Sequence, residues 1–532
     1  MFLPRQVLVM ILTMSSCMTS FSQIKQSLDV KRIRWQQLDL SADSVYGISM
    51  DRGYNAFLKG FRPKPVIVAV IDSGIDTLHT DLKSVLWENA SEHGADEDRN
   101  GYVNDRYGWN FLGSEPGKPP FTDPGFEYSR IYLSLSQTSS TYFNGSRFSS
   151  KSEACKMRLA TKSLFKSDST QKVSANFAYW GSILREDSIW RKQLNKVEYR
   201  IGDIIGKTAD IQKSLMRSLL MVDTTRTNLQ ELALIEESRE RLLKKYSESP
   251  LVSRAATIGD DYNDINDKFY GNGHIGRNGK HGTDVASVIA AVTDRAIGVD
   301  GVVNAVQIMA IRAFYDGADE FDKDVALAIR YAVDNGAKVI NMSFGKPYSP
   351  QQNWVEEAIR YAAKKDVLII HCAGNDGANT DSVELYPTSR YKNDTFAPNM
   401  ITVGASGPSR RNIVASFSNY GKQTVDVFAP GINIYISDLD KNEFRFRAVS
   451  GTSIAAPVVS RLAAILRAYY PKLSAVQTKY VIESSVTKVD GYVIKPGGGK
   501  HRVLMTDLCR SGGIINAYNA LKMAAELSNR RN

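Results

Sequence analysis

The amino-acid sequence predicts an α/β protein with a mainly parallel central sheet flanked by helices, interrupted by a helical insertion. Three observations predict it. Val66-Ile67-Val68-Ala69-Val70-Ile71 is an unbroken, mostly β-branched run, the pattern of a strand buried on both faces of a parallel sheet. From residue 266 onward, strand-like and helix-like stretches alternate, which calls for crossover connections between parallel strands. Between 115 and 265 the pattern becomes helical, and no proline occurs between Pro124 and Pro250.

The first 22 residues read as an export signal. Arg5 precedes the apolar run Val7–Met14, which is too short to span a bilayer and suits a signal-peptide core. Two ends are open. Ser20-Phe21-Ser22 supplies small residues for cleavage before Gln23, giving a secreted or periplasmic protein. Alternatively, Met14-Ser15-Ser16-Cys17 resembles a lipobox, in which case Cys17 is acylated and the product is an outer-membrane lipoprotein. Residues 23–64 form an N-terminal extension whose apolar residues (Leu38, Leu40, Val45, Ile48, Phe57, Leu58) suffice to pack on a neighbour but not to build a core. Residues 65–114 open the main domain, 115–265 are the insertion, and 266–527 complete the domain.

Within the insertion, Leu229, Leu232, Ile235 and Leu242 recur at helical spacing among Glu231, Glu236, Glu240, Lys244 and Lys245, predicting an amphipathic helix. Two or three further helices are expected between 151 and 222. In the second part of the domain, Val306–Ile311, Val339–Phe344 and Val367–Ile370 read as strands. Val325–Asn335, Trp354–Lys365 and Ile514–Leu527 read as helices, and 400–450 as strands and turns.

The net charge of +10, more than half of it within residues 149–250, is not gathered into an arginine-rich or aromatic-studded motif, so nucleic acid is not an expected partner. Setting Cys17 aside, Cys155, Cys372 and Cys509 imply no disulfide framework.

Four stretches carry chemistry. Asp72-Ser73-Gly74 ends the first strand, where open α/β sheets place their sites; a strand-terminating turn is the plainer reading. His281-Gly282-Thr283-Asp284 follows glycine-rich sequence and opens an apolar helical run. Ala373-Gly374-Asn375-Asp376-Gly377 follows another buried strand and offers an amide that can donate to an oxyanion. Gly451-Thr452-Ser453-Ile454-Ala455-Ala456-Pro457 leads into the helical run that begins at Val458. Ser453 there is either a nucleophile at a helix start, where unpaired N–H groups favour developing negative charge, or Thr452 or Ser453 is simply an N-cap. Asp96, Asp98 and Asn100, with Gly101 in the sixth position, match the first half of a calcium loop. Tyr107 occupies the twelfth position where a glutamate would close such a loop, and Asp105 is the available substitute. A plain acidic turn is the alternative.

Taken together, Asp72-Ser73-Gly74, His281-Gly282-Thr283, Asn341-Met342-Ser343-Phe344-Gly345, Ala373-Gly374-Asn375 and Gly451–Pro457 resemble the motifs of the subtilisin family of serine proteases. They stand in that family's Asp…His…Ser order. Gly101–Asp105 and Gly108–Phe111 look like exported bacterial members with long insertions. The resemblance implies a subtilisin-like three-layer fold and an exported serine endopeptidase acting on peptides or proteins. Ser453 would be the nucleophile, His281 the base, Asp72 its orienting carboxylate, and Asn375 an oxyanion donor. No cofactor is needed for the chemistry. Ser343, Phe344 and Gly345 resemble the edge segment that pairs with substrate backbone, and Asp376 a position at the rim of the P1 pocket, where its charge would favour basic or polar residues. Asp81 matches a calcium ligand of the family, so structural Ca2+ joins the expectations. Membrane attachment would arise only through a lipid on Cys17.

The chain departs from the pattern in three places. Asp284 stands where a second histidine is usual, and its charge is expected to raise the pKa of His281. Arg461 replaces a glycine behind the serine helix, and Ile454 replaces a methionine. A degenerate subtilase that binds peptides without cutting them is the alternative function. An α/β-hydrolase is excluded because no Gly-x-Ser-x-Gly elbow surrounds Ser453. The insertion is expected to restrict access of large substrates.

Overall fold

A computed structural model describes residues 33–529 except 93, 122–123, 138–160, 163, 167–178, 180–181, 205–215, 217–219, 221–224, 246–249, 276–278, 291–304 and 441–442. Residues 1–32, with Cys17 and the expected export signal, and Cys155 lie outside the described residues. The chain divides into two compact units, 1–120 with 265–532 and 121–264.

The first unit is built on a nine-stranded sheet in the order β10-β13-β7-β6-β5-β4-β1-β3-β2. Its strands are β1 (Val66–Asp72), β2 (Gly108–Asn110), β3 (Val306–Arg312), β4 (Val339–Met342), β5 (Leu368–Cys372), β6 (Met400–Ser406) and β7 (Val427–Pro430), then β10 (Thr487–Lys488) and β13 (Gly513–Ile514). Every pairing is parallel except β10 with β13. Two hairpins, β8–β9 (Ile434–Asp440, Glu443–Val449) and β11–β12 (Tyr492–Ile494, Arg502–Leu504), stand outside this sheet.

The β-branched run of β1 is central because both its neighbours, β3 and β4, pair with it in parallel register. Val66, Val68 and Val70 join a large core with residues of three helices: α3 (Lys280–Ala290), α6 (Thr452–Tyr469) and α8 (Ala517–Asn529). Two more helices, α4 (Asp322–Asp334) and α5 (Gln352–Lys364), pack on each other. Another, α7 (Ala475–Ser484), starts at a capping box formed by Ser474 and Gln477.

The N-terminal segment is more deeply integrated than its composition implies. Trp35, Ile48, Met50 and Leu58 are all buried in the same core as α6 and α8. Two short helices, α1 (Leu40–Asp43) and α2 (Met50–Gly53), order it. Asp39 caps α1 through Ser41 and Ala42. Trp35 donates its indole N–H to the Asn433 carbonyl at 3.2 Å, and the Ala517 amide donates to the Ile48 carbonyl at 2.6 Å. This segment also accounts for Arg461: burial pushes its pKa down to about 10 while the Asp51 carboxylate pulls it up, and Asp51 itself binds Arg34 at 2.9 Å.

The last helix begins at Ala517, not Ile514. Residues Gly513–Ile514 are taken into the sheet, and the Asn516 side chain accepts from the Asn519 amide, starting the helix after the strand. Elsewhere expected and observed elements differ at their ends: β4 stops at Met342, which frees Ser343–Gly345 as a loop.

The second unit has its own small core of Ile183, Trp190, Tyr199, Ile201, Ile204, Met216 and Leu220, with Leu232 and Ile235 against it. Helix is described over residues 182–194 and Ile201–Ile204, whereas much of 151–222 lies outside the described residues. The expected amphipathic helix spans Asn228–Lys245, but its stripe is rotated. Leu229 is 39% exposed, while Glu231 is buried and pairs with Arg226 at 3.1 Å. The side chains of Leu242, Lys244 and Lys245 are outside the described residues.

Candidate active site

Asp72 closes β1 with a fully buried side chain. Its Oδ1 accepts from the Ser73 amide at 2.7 Å and faces Nδ1 of His281 at 2.8 Å. Its Oδ2 is buried and has no hydrogen-bond partner among the described residues. The approach of α3 to the end of β1 needs glycine: a Cβ on Gly282 would lie 2.2 Å from the Gly74 carbonyl oxygen and 3.1 Å from Asp72 Cβ. Thr283 completes the joint, accepting from the Asp76 amide at 2.9 Å and donating to the Gly279 carbonyl at 2.6 Å.

Burial alone would lower the pKa of His281. The charge and hydrogen bond of Asp72 outweigh it, with smaller contributions from Asp316 and Asp284, and raise the value to about 9. The imidazole remains 32% exposed, so solvent screens part of that pull. The expected effect of Asp284 has the expected sign but is minor, because its carboxylate is paired with Arg447.

Gly451, not Thr452 or Ser453, occupies the N-cap of α6 and makes no side-chain cap bond, so the simple capping reading fails. Thr452 is instead tied to the neighbouring loop. Its amide and hydroxyl both donate to Asn375 Oδ1, at 2.9 and 3.0 Å, and its hydroxyl accepts from the Gly374 amide at 3.1 Å. Two donors on Oδ1 fix the amide orientation and leave Nδ2 as the outward group. A point placed where Gly451 would carry a Cβ lies 3.0 Å from Ser453 Oγ, 3.7 Å from the Ser453 amide nitrogen and 3.8 Å from Asn375 Nδ2. One hydroxyl and two nitrogen donors therefore lie around a single point next to Gly451. Helices α3 and α6, which carry His281 and Ser453, pack on each other. Among the described residues no hydrogen bond joins His281 to Ser453 Oγ; such bonds often tighten only with substrate in place.

Ser343, expected to meet substrate, turns its side chain inward. Its hydroxyl donates to the Ser453 carbonyl at 2.8 Å and accepts from Asn341 Nδ2 at 2.9 Å, while Asn341 Oδ1 accepts from Ser460 at 2.8 Å. This buried relay braces the start of α6 from below. The Phe344 carbonyl is likewise engaged, accepting from His371 Nε2 at 2.8 Å. Burial holds that imidazole neutral, with its pKa pushed down to about 4. Gly345 packs against Leu385, and the Asp376 carboxylate accepts from Asn419 Nδ2 at 3.3 Å. Phe314, which sequence reasoning missed, stands between the motifs, its ring 6.4 Å from that of His281 and 5.2 Å from that of Phe344. Its place just beyond the C-terminal end of β3 was the available signal.

The calcium candidates of the 96–105 loop are linked by hydrogen bonds: Asn100 Nδ2 donates to Asp98 at 3.2 Å, and Asn89 Nδ2 donates to Asp98 at 3.0 Å and to Asp105 at 2.8 Å. Asp96 and Asp98 are grouped with Glu92, which sequence reasoning missed, in a set whose ligand atoms lie within 4.8 Å of one another. Asp105 also accepts from Tyr331 at 2.5 Å and from Asn100 at 3.3 Å. Asp81 stands outside this group, buried, with Oδ2 lacking a hydrogen-bond partner. The all-oxygen donor set suits a hard divalent cation. Backbone N–H groups already bind several of its oxygens, including Glu92 Oε2 from Asn104 at 2.7 Å and Asp96 Oδ1 from Asn100 at 2.9 Å.

A mainly parallel sheet thus carries a carboxylate–imidazole pair at one strand end, and the helix that holds the imidazole packs on one with a serine in its first turn. The subtilase family (Peptidase S8) matches residues 64–500, and the chain belongs to that family. It is 35% identical over 245 residues to a thermophilic serine proteinase of Bacillus sp. (strain AK1), covering 45% of this chain and 52% of that protein. It is 33% identical to the M-protease of Shouchella clausii (strain KSM-K16) over 39% of this chain and 50% of that protein. To Subtilisin Savinase of Lederbergia lenta it is 32% identical, covering 39% of this chain and 71% of the relative. The chain thus spans about half the length of the first two. A solved structure of the prenylagaramide maturation protease PagA aligns with 27% identity and a TM-score of 0.37, covering 46% of this chain and 82% of that one.

Proposed function

We propose that the chain is an exported serine endopeptidase that hydrolyses peptide bonds through an acyl-enzyme. The observation that carries this reading is the gathering of Ser453 Oγ, the Ser453 amide nitrogen and Asn375 Nδ2 around one point, at the start of a helix packed on the one whose imidazole is bonded to a buried carboxylate. Ser453 Oγ attacks the substrate carbonyl as His281 takes its proton. The oxyanion is met by Asn375 Nδ2 and the Ser453 N–H, and His281 then protonates the departing amine. Asp72 holds the imidazole with Nδ1 protonated, so that Nε2 is the basic nitrogen. Water repeats the cycle on the acyl-enzyme. The backbone N–H and C=O of Gly345 carry no hydrogen bond among the described residues, which suits pairing with an extended substrate.

Asp376 at the rim of the P1 site favours basic or polar residues there, and a peptide-library cleavage profile checks this. Glu92, Asp96 and Asp98 would hold Ca2+ as a structural ion outside the chemistry. Substrates are peptides or proteins, and a membrane is involved only through lipid on Cys17. Peptide hydrolysis by the purified chain, compared with Ser453→Ala, tests the activity. The variant is expected to lose a factor on the order of 10^4 or more in kcat. Equal rates would contradict the assignment, and no turnover by folded wild type would favour a peptide-binding protein.

A further inference from the structure

Asp284 lies one helical turn beyond His281 on α3, and its carboxylate is paired with the guanidinium of Arg447 on β9. Both groups are largely shielded, at 14% and 28% exposure. Arg447 precedes Ser453 by a short stretch of chain in which β9 turns through Ser450 and Gly451 into α6. That turn is itself pinned: the Asn433 amide donates to Ser450 Oγ at 2.8 Å, and the Gly451 amide donates to the Gly431 carbonyl at 2.9 Å. The ion pair therefore ties the element that delivers the imidazole to the strand that delivers the serine.

We propose that Asp284 and Arg447 form a positioning strut that sets the spacing of His281 from Ser453 and neutralises the Asp284 charge beside the imidazole. The proposal rests on the protease reading above. Neither residue touches the reacting atoms; each acts through the element that carries it. The geometry has a mechanical consequence, because a shift of about 1 Å between reacting groups can cost on the order of 100-fold in rate. It also has an electrostatic one. The charged groups around the imidazole are Asp72 from β1, Asp316 from the loop after β3, and Asp284 on its own helix. Asp284 in turn faces Arg447 and Lys280. Removing Arg447 takes away the guanidinium paired with the Asp284 anion near His281, leaving Lys280 as its other cationic neighbour, whereas removing the Asp284 charge takes an anion away. A purely structural pair would not move the imidazole titration in opposite directions for the two variants.

The test compares Arg447→Ala, Asp284→Asn and the exchanged pair Asp284→Arg/Arg447→Asp in the full chain. Each single variant is expected to lower kcat by about 10- to 100-fold with little change in KM, and the exchange to restore most of the loss. NMR titration of His281, read in a Ser453→Ala background, should move upward with Arg447→Ala and downward with Asp284→Asn. Single variants with wild-type kcat, or a His281 titration unmoved in both, would overturn the strut. Where a single variant does not fold, Arg447→Lys and Asp284→Glu keep the charge and alter the reach, and unchanged kcat in both would overturn it equally. The titration needs no turnover. A chain that cuts no peptide yet shows the opposed shifts would sink the protease reading and leave the pair's electrostatic role standing.

Discussion

At the scale of single residues, the chemistry rests on a histidine pulled in two directions. Burial disfavours the imidazolium, and Asp72 favours it more strongly, which raises the pKa of His281 from 6.5 to about 9. The general base must be neutral to accept the Ser453 proton, so the acidic limb of kcat/KM should fall between 6.5 and about 9, and an initial-rate pH profile checks it. Stability moves the other way. A folded-state pKa above the unfolded value contributes stability that is complete below 6.5 and disappears as pH rises through about 9, so the site becomes active while losing that contribution. Asn375→Ala should lower kcat by roughly 10^2- to 10^3-fold with KM little changed, as steady-state kinetics would show. Asp72, His281, Asn375 and Ser453 stood out in the sequence because each sits where a strand or glycine-rich run meets a turn or helix. The direction of Ser343 was not legible: whether a hydroxyl faces cleft or core depends on partners distant in the chain, here Asn341, Ser453 and Ser460.

At the scale of elements, the serine helix is held at its start by side chains from two strand ends. Thr452 binds Asn375 beyond β5, and the Ser460–Asn341–Ser343 relay reaches the Ser453 carbonyl from β4. Because the relay is buried, Asn341→Leu leaves the Ser460 hydroxyl without its acceptor and takes one of two partners from Ser343, and should destabilise the fold by about 2–4 kcal/mol, measured by denaturant unfolding. The buried strands and amphipathic helices were readable from periodicity. Their ends were not, since β4 stops at Met342 and α8 starts at Ala517 through contacts with other strands. The helix at Asn228–Lys245 makes the same point: Leu229 and Glu231 exchange their expected environments because a glutamate paired with Arg226 can be buried.

At the scale of the molecule, the N-terminal segment is part of the first unit's core rather than an appendage. Trp35, Ile48, Met50 and Leu58 are buried there, and each contributes roughly 1.5–3 kcal/mol, a sum comparable to a domain's net stability of about 5–15 kcal/mol. Deleting residues 1–62 should therefore abolish the cooperative thermal transition of this unit in calorimetry. Composition alone concealed this, because the apolar residues of the segment are few and complete a core assembled elsewhere in the chain. The sheet order is likewise invisible locally, yet it places Asp72, Asn375 and the Ser343–Gly345 loop at strand ends on β1, β5 and β4. The claim on which the whole account depends is that Ser453 is a nucleophile activated by His281. Reaction with a fluorophosphonate followed by peptide mapping in the mass spectrometer tests it most directly. The account predicts one adduct, on Ser453, whose formation is abolished by Ser453→Ala and strongly slowed by His281→Ala. Folded protein that takes no label at Ser453, or labels there equally fast without His281, would contradict it.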